Sequence, residues 1–329
     1  MLRCQKKISK FIIIGILLFS FVCGCGKSSV GGIKEDVKIL LSVNQMDTFR
    51  QTLVDAAVIK AKEEGATLDV FDAGGVIENQ VEHMKKAVKE GYDIVVCSPV
   101  SADTVVELKA SASGLPIVFF NNCPNDKQLK DCFYVYAGSD EQVAGEYQAE
   151  YILEKFRTKS EINIVIIGGS KGHSATVGRT NGIKKVLSQS GKTINYVFED
   201  YADWDTGKAY DLFSVFLKTG VKADCVLCNN DAMALGVLQC MEEQGISPNE
   251  MMVLGVDATV DGCNSIKEGK MAFTVYQSGS GQGNAAVEMA LRIVRGDAPK
   301  EMEGITDNGK YVWVPFEKVD SSNVRNYGK

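Results

Sequence analysis

From residue 37 onward the sequence repeats one pattern: a short apolar run, then a stretch whose apolar residues recur at helical spacing. Apolar runs lie at residues 37–43, 67–71, 94–97, 116–120 and 134–137, and again at 163–167, 194–198, 225–228 and 252–256. Between two of them Ile77, Val81, Met84 and Val88 fall on one helical face. Thr48-x-x-Gln51 and Ser139-x-x-Gln142 read as capping boxes that open helices over 48–64 and 139–159. Strands alternating with helices build βαβ units and parallel sheets. The restart near residue 163 makes two similar α/β domains, which 329 residues accommodate at ~100–200 per domain.

The first 25 residues follow a different rule. Arg3, Lys6, Lys7 and Lys10 precede an apolar stretch at 11–22, which is shorter than the ~20 residues a spanning helix needs. This is the layout of an export signal. It ends Val22-Cys23-Gly24-Cys25, which resembles the bacterial lipoprotein signal. Glycine is a better residue before the cleavage point than valine, so that resemblance makes Cys25, rather than Cys23, the lipidated first residue of the mature chain. Residues 26–36 are polar and Gly/Ser-rich, as expected of a tether. An exported, membrane-anchored domain acts outside the cytoplasm, which disfavours enzymes that use ATP or NAD. The formal net charge of −6 supplies no basic surplus, and nucleic acid is not an expected partner.

The cysteines carry little chemistry. Cys225 and Cys228 form a C-x-x-C inside an expected strand, where positions three apart face opposite sides. That disfavours a redox pair or a metal clip, and no cofactor is expected. Cys123 and Cys132 lie close enough in sequence to pair across a loop; the default for the rest is a buried free thiol.

Ligands of parallel α/β sheets sit beyond the carboxyl ends of the strands. There the chain places Asp47 and Phe49, Asn121, His173 and Arg179, the run Asp203-Trp204-Asp205, Asn229-Asn230-Asp231, and Asp257. This set suits a sugar. Carboxylates accept from hydroxyls, guanidinium donates, amides do both, and aromatic rings cover the apolar C–H faces. Phe49 and Trp204, one from each domain, would sandwich such a ring. Taken singly, Asp47, Asp205 and Asp231 serve equally well as helix N-caps. Phe49 could be core, and His83 reads as a solvent-facing helix residue. Gly168-Gly-Ser-Lys-Gly lacks the phosphate-loop pattern G-x-x-x-x-G-K-[ST].

Five stretches occur in a telling order: Pro116-Ile-Val-Phe-Phe-Asn121, Gly172-His173 with Arg179-Thr180, Asp203-Trp204-Asp205-Thr206, Cys228-Asn-Asn-Asp-Ala-Met-Ala-Leu-Gly236 and Leu254-Gly-Val-Asp-Ala258. From about residue 37 to 320 the chain resembles the periplasmic sugar-binding protein family. The His173/Arg179 pair and Trp204 point to its hexose-binding branch, for galactose or glucose. The resemblance implies that Phe49 and Trp204 stack on the sugar, and that Asp47, Asn121, His173, Arg179, Asn230 and Asp257 bind hydroxyls. Two positions depart from that branch. Ala175 stands where it has an aspartate, and Gln277 where it has an asparagine in the hinge-side strand. Its calcium loop has no counterpart, since Arg157-Thr-Lys-Ser-Glu161 offers one carboxylate, so no structural calcium is expected.

The implied fold is the type I periplasmic binding protein fold: two doubly wound parallel-sheet lobes joined by a three-segment hinge, with crossings near 138, 276 and 313. The N-lobe is then 37–138 plus 277–313, and the C-lobe 139–276 plus 314–329. The implied role is capture of a monosaccharide by hinge closure and delivery to the permease subunits of an ABC importer. The protein is expected to be a monomer held to the membrane by its lipid alone. Presentation of sugar to a chemoreceptor or sensor kinase, or binding of a pentose, fits the same residues. A helix-turn-helix repressor is disfavoured because an export signal occupies the N-terminus. An enzyme is not expected, as H-E-x-x-H is lacking.

Overall fold

The computed structural model describes residues 36–328; the export signal, Cys25 and the tether up to residue 35 lie outside them. The first half supplies β1 (Lys38–Val43), α1 (Thr48–Glu63), β2 (Thr67–Asp72), α2 (Ile77–Lys89), β3 (Ile94–Cys97), α3 (Val105–Ser111), β4 (Ile117–Phe120) and β5 (Tyr134–Gly138). The cycle then repeats as α4 (Glu141–Lys155), β6 (Glu161–Gly168), α5 (Ser174–Ser188), β7 (Thr193–Tyr201), α6 (Thr206–Lys218), β8 (Cys225–Cys228), α7 (Asp231–Glu243), β9 (Met252–Leu254), α8 (Val260–Lys267) and β10 (Phe273–Tyr276). It ends with α9 (Gly279–Arg295), β11 (Tyr311–Trp313) and β12 (Glu317–Asp320).

These form two sheets, ordered β2-β1-β3-β4-β5-β11 and β7-β6-β8-β9-β10-β12. The first strands of each follow the same doubly wound order, so each half has a switch point beside its first strand. The chain passes between the sheets three times: from β5 to α4, from β10 to α9 and from β11 to β12. The return is not wholly parallel. β12 runs antiparallel to β10, with Thr274 opposite Val319, so the second sheet carries one reversed edge strand.

Continuous apolar runs mark these strands because helices cover both faces. In β1, Ile39, Leu41 and Val43 enter a core shared with α1 and α9, while Leu40 enters the opposite core with Met84 and Tyr92. The C-x-x-C strand divides likewise, Cys225 packing with Ile164 and Cys228 with Phe213 on the other face. The cysteines among the described residues carry free thiols, including Cys123 and Cys132.

Local details differ from expectation. The N-caps of α1 and α4 are Asp47 and Asp140, not Thr48 and Ser139. Asp47 accepts from the Arg50 amide and Asp140 from the Gln142 amide, whereas Ser139 is buried and its Oγ accepts from Gln282. His83 is half-buried rather than solvent-facing, with Nδ1 3.0 Å from Ser42 Oγ and its ring 5.4 Å from Phe71.

Paired helices meet at glycines. A Cβ at Gly283 of α9 would lie 2.2 Å from the Leu53 carbonyl oxygen of α1. One at Gly182 of α5 would lie 2.1 Å from that of Gln142 in α4, and one at Gly236 of α7 would lie 2.1 Å from that of Thr206 in α6. Gly182→Ala therefore forces backbone apart, at ~1–3 kcal/mol net, even though alanine gains up to ~1 kcal/mol of helix propensity. Denaturant unfolding checks this; a midpoint at or above wild type would contradict the packing argument.

Candidate functional site

The carboxyl ends of β1 and β4 in the first sheet face those of β6, β7, β8 and β9 in the second across a cavity. The cavity is lined by Asp47, Phe49, Asn121, His173, Arg179, Trp204, Asn230, Asp257 and Gln277, the full set named from sequence, and by Ala175. Two residues that the sequence reading missed join them, Arg50 and Glu141.

Arg179, on the second turn of α5, anchors the floor and is 3% exposed. Its Nε donates to Glu141 Oε2 (2.7 Å), Nη1 to the Asn229 carbonyl (2.5 Å) and Nη2 to Gln277 Oε1 (3.0 Å). Gln277 Nε2 in turn donates to Glu141 Oε1 (3.2 Å), and Asp257 Oδ1 lies 3.6 Å from Arg179 Nη1. Burial drives the carboxyls of Glu141 and Asp257 upward against the pull of Arg179, Asp257 well above its usual range. The Gln277 amide thus gives one N–H and accepts one bond inside the network.

His173 and Trp204 form one wall, ring centroids 5.3 Å apart and edge to face. The Arg179 guanidinium lies 5.8 Å over the Trp204 ring, in cation–π range. Trp204 owes its position to Gly169, where a Cβ would come within 2.2 Å of the indole. His173 is the N-cap of α5, and its Nδ1 accepts from the Ala175 amide. An acceptor at Nδ1 places the proton on Nε2. Burial, with Arg50 and Arg179 as nearby cations, lowers the ring to about 3, so it stays neutral. Its buried Nε2 has no protein partner and is free to donate to a ligand.

The opposite wall belongs to α1. Asp47 caps the helix through Oδ1 (2.7 Å to the Arg50 amide) and pairs with the Arg50 guanidinium through Oδ2. Arg50 Nε donates to Asn121 Oδ1 at 3.1 Å. Phe49, partly buried, packs on the first-lobe core. Asn230 caps α7, Oδ1 accepting from the Met233 amide. Asp47 and Asn230 are therefore caps and cavity residues at once. Asp205 is the N-cap of α6, while Asp231 is buried and accepts from Thr259 and Thr274. Asn121, Trp204 and Asp257 have φ of 59°, 66° and 117°. Such backbone costs on the order of 1–3 kcal/mol each and clusters at ligand sites.

Arg50 had a legible signal, since three residues past a helix cap returns the chain to the same side. Glu141 had none, because its partners arrive from α5 and the second crossing.

Two lobes that bring polar strand ends together over a shared cavity define a bilobed binding protein. Residues 38–298 match the periplasmic binding protein domain, and the chain belongs to that family. It is 27% identical over 287 residues to a putative rhizopine-binding protein of Rhizobium meliloti, covering 86% of each chain. It is 25% identical to the D-galactose/methyl-galactoside binding periplasmic protein of Haemophilus influenzae, covering 97% of this chain and 99% of that one. Among solved structures, an ABC transporter solute binding protein from Bacillus halodurans with bound myo-inositol aligns with a TM-score of 0.78 at 26% identity, over 91% of this chain and 99% of that one. The protein is accordingly a sugar-type solute-binding component of an ABC transporter, acting outside the cytoplasm, and not an enzyme.

Two outcomes follow from the wall. Gly169→Ala displaces the indole and weakens ligand binding about tenfold or more, at the ~1–3 kcal/mol that overpacking costs. Tryptophan fluorescence and calorimetry read it. His173→Gln weakens binding by the same factor across roughly pH 5 to 8, because a ring held at about 3 does not titrate there. A ratio of affinities that changes around pH 6.5 would show that the ring titrates in place.

Proposed function

We propose that the protein captures one pyranose of the galactose or glucose type between its lobes and hands it to an ABC permease. The observation that carries this reading is the unpartnered, neutral His173 Nε2–H beside the Trp204 ring, in a cavity lined by the carboxylates, amides and aromatic rings named above. Sugar hydroxyls donate to Asp47 and Asp257, accept from His173 and Arg179, and exchange both ways with Asn121 and Asn230. Phe49 and Trp204 cover the apolar faces. Gln277 acts by holding Arg179 and Glu141. Ligand draws together an N-lobe of 37–138 plus 277–313 and a C-lobe of 139–276 plus 314–329, rotating about the three crossings. The monomer works without metal or cofactor and is tethered to the membrane through lipidated Cys25.

A second reading has a specific basis. Ala175 presents no polar side chain and Gln277 is already engaged, so two contacts of the galactose/glucose branch are missing. A ring polyol with the same hydroxyl display, such as the myo-inositol bound by the Bacillus halodurans relative, fits that reduced set.

Calorimetric titration of residues 26–329 with galactose, glucose, ribose, xylose, arabinose and myo-inositol separates these readings. Tight 1:1 binding of a hexose is expected. Tight binding of myo-inositol alone would transfer the assignment to the polyol, and of a pentose alone would reject both. Asp257→Ala is expected to weaken binding by about 100-fold, the scale of losing a charged hydrogen bond, while the protein still unfolds cooperatively. For the anchor, mass spectrometry of the membrane-bound protein should find a diacylglyceryl adduct on Cys25, and Cys25→Ala should release the protein from the membrane.

A further inference from the structure

Away from the three crossings, two hydrogen bonds join the lobes among the described residues, and both end on Ser174. The Ser174 amide donates to Asn122 Oδ1 (3.2 Å), and Ser174 Oγ accepts from the Cys123 amide (2.8 Å). Each side is held in place. Asn122 is 1% exposed and donates its Nδ2 to the Pro99 carbonyl beyond β3. Ser174 opens α5, so an N–H that its own helix leaves free finds its acceptor on the opposite lobe. Neither side chain lines the inner cavity, yet each follows a residue that does: Asn122 follows Asn121, and Ser174 follows His173.

We propose that Asn122, the Cys123 amide and Ser174 form a latch that holds the lobes closed and sets the rate at which ligand leaves. A ligand bridging Asn121 and His173 brings the two halves of the latch into register, coupling capture to closure. These are positioning residues that act through the lobes, with no contact to the ligand. Opening precedes release, whereas capture begins from the open form. Loss of a latch bond therefore appears in koff and spares kon. A neutral hydrogen bond accounts for roughly two- to tenfold in such an equilibrium. The latch rests on capture between two lobes and not on which sugar is captured.

The test uses the mature protein with Ser174→Ala, Asn122→Ala and Ser174→Thr. Stopped-flow tryptophan fluorescence, with the sugar that binds most tightly in calorimetry, is expected to show koff raised roughly two- to tenfold by either alanine and kon unchanged. Ser174→Thr, which keeps the hydroxyl, should restore the wild-type rate. A second readout is independent of ligand identity. In Ser174→Ala the residue 174 amide keeps its Asn122 acceptor, so its hydrogen exchange in ligand-saturated protein speeds up severalfold only if the two bonds act as one latch. Unchanged koff, an equal fall in kon, or unchanged exchange at residue 174 would overturn the proposal. If the tightest ligand of the panel were a pentose or myo-inositol, the hexose assignment would fall, and both readouts taken with that ligand would still decide the latch.

Discussion

The buried guanidinium of Arg179 ties the site together. It gathers Glu141 from the start of α4, the carbonyl beyond β8, Asp257 beyond β9 and Gln277 from the second crossing. No single element could hold these groups in place, and each carboxylate would be costly to bury without the cation. Removing one partner from such a cluster typically costs ~3–5 kcal/mol, because the remaining charge stays buried and uncompensated. The cluster also sits where the chain leaves one sheet for the other. The ligand cavity and the connection between the lobes thus share a foundation, and a change in one is felt in the other.

Around that foundation the two lobes divide the lining of the cavity. The first brings a carboxylate, an aromatic face and an amide from α1 and β4, stiffened by Arg50. The second brings a neutral imidazole, an indole, an amide cap and a buried carboxylate from four strand ends. Helix caps recur in this division: Asp47, His173 and Asn230 each satisfy a free N–H of the helix that follows. Capping fixes the side chain's direction at little entropic cost, since the helix needs that partner with or without a ligand. The choice between cap and cavity residue, which is open for each residue taken alone, dissolves because one side chain can cap a helix and line the cavity at once.

The sequence made much of this legible, for physical reasons. Strands such as Cys225–Cys228 are buried on both faces and stand out as apolar runs, so their existence and order could be read directly. Cavity residues follow those runs at once, so the strand ends located them. What stayed hidden depends on distance in three dimensions. Glu141 looks like a surface residue until Arg179 arrives from α5, and nothing in the sequence shows that Gln277 bonds to both of them. The reversal of β12 was equally invisible, because a short edge strand reads the same in either direction. His83 was misjudged because its partner Ser42 lies on another element.

The three crossings also bear on how the chain reaches this state. The core beneath β1 is completed by Ala286, Val287, Ala290 and Leu291 of α9, which are synthesised after the whole second βα cycle. The second sheet in turn waits for β12 at its edge. Neither half can seal its apolar face until nearly the last residue has emerged, so the lobes mature together rather than one after the other. A chain interrupted before α9 would display a long strip of bare aliphatic side chains, a natural mark for degradation.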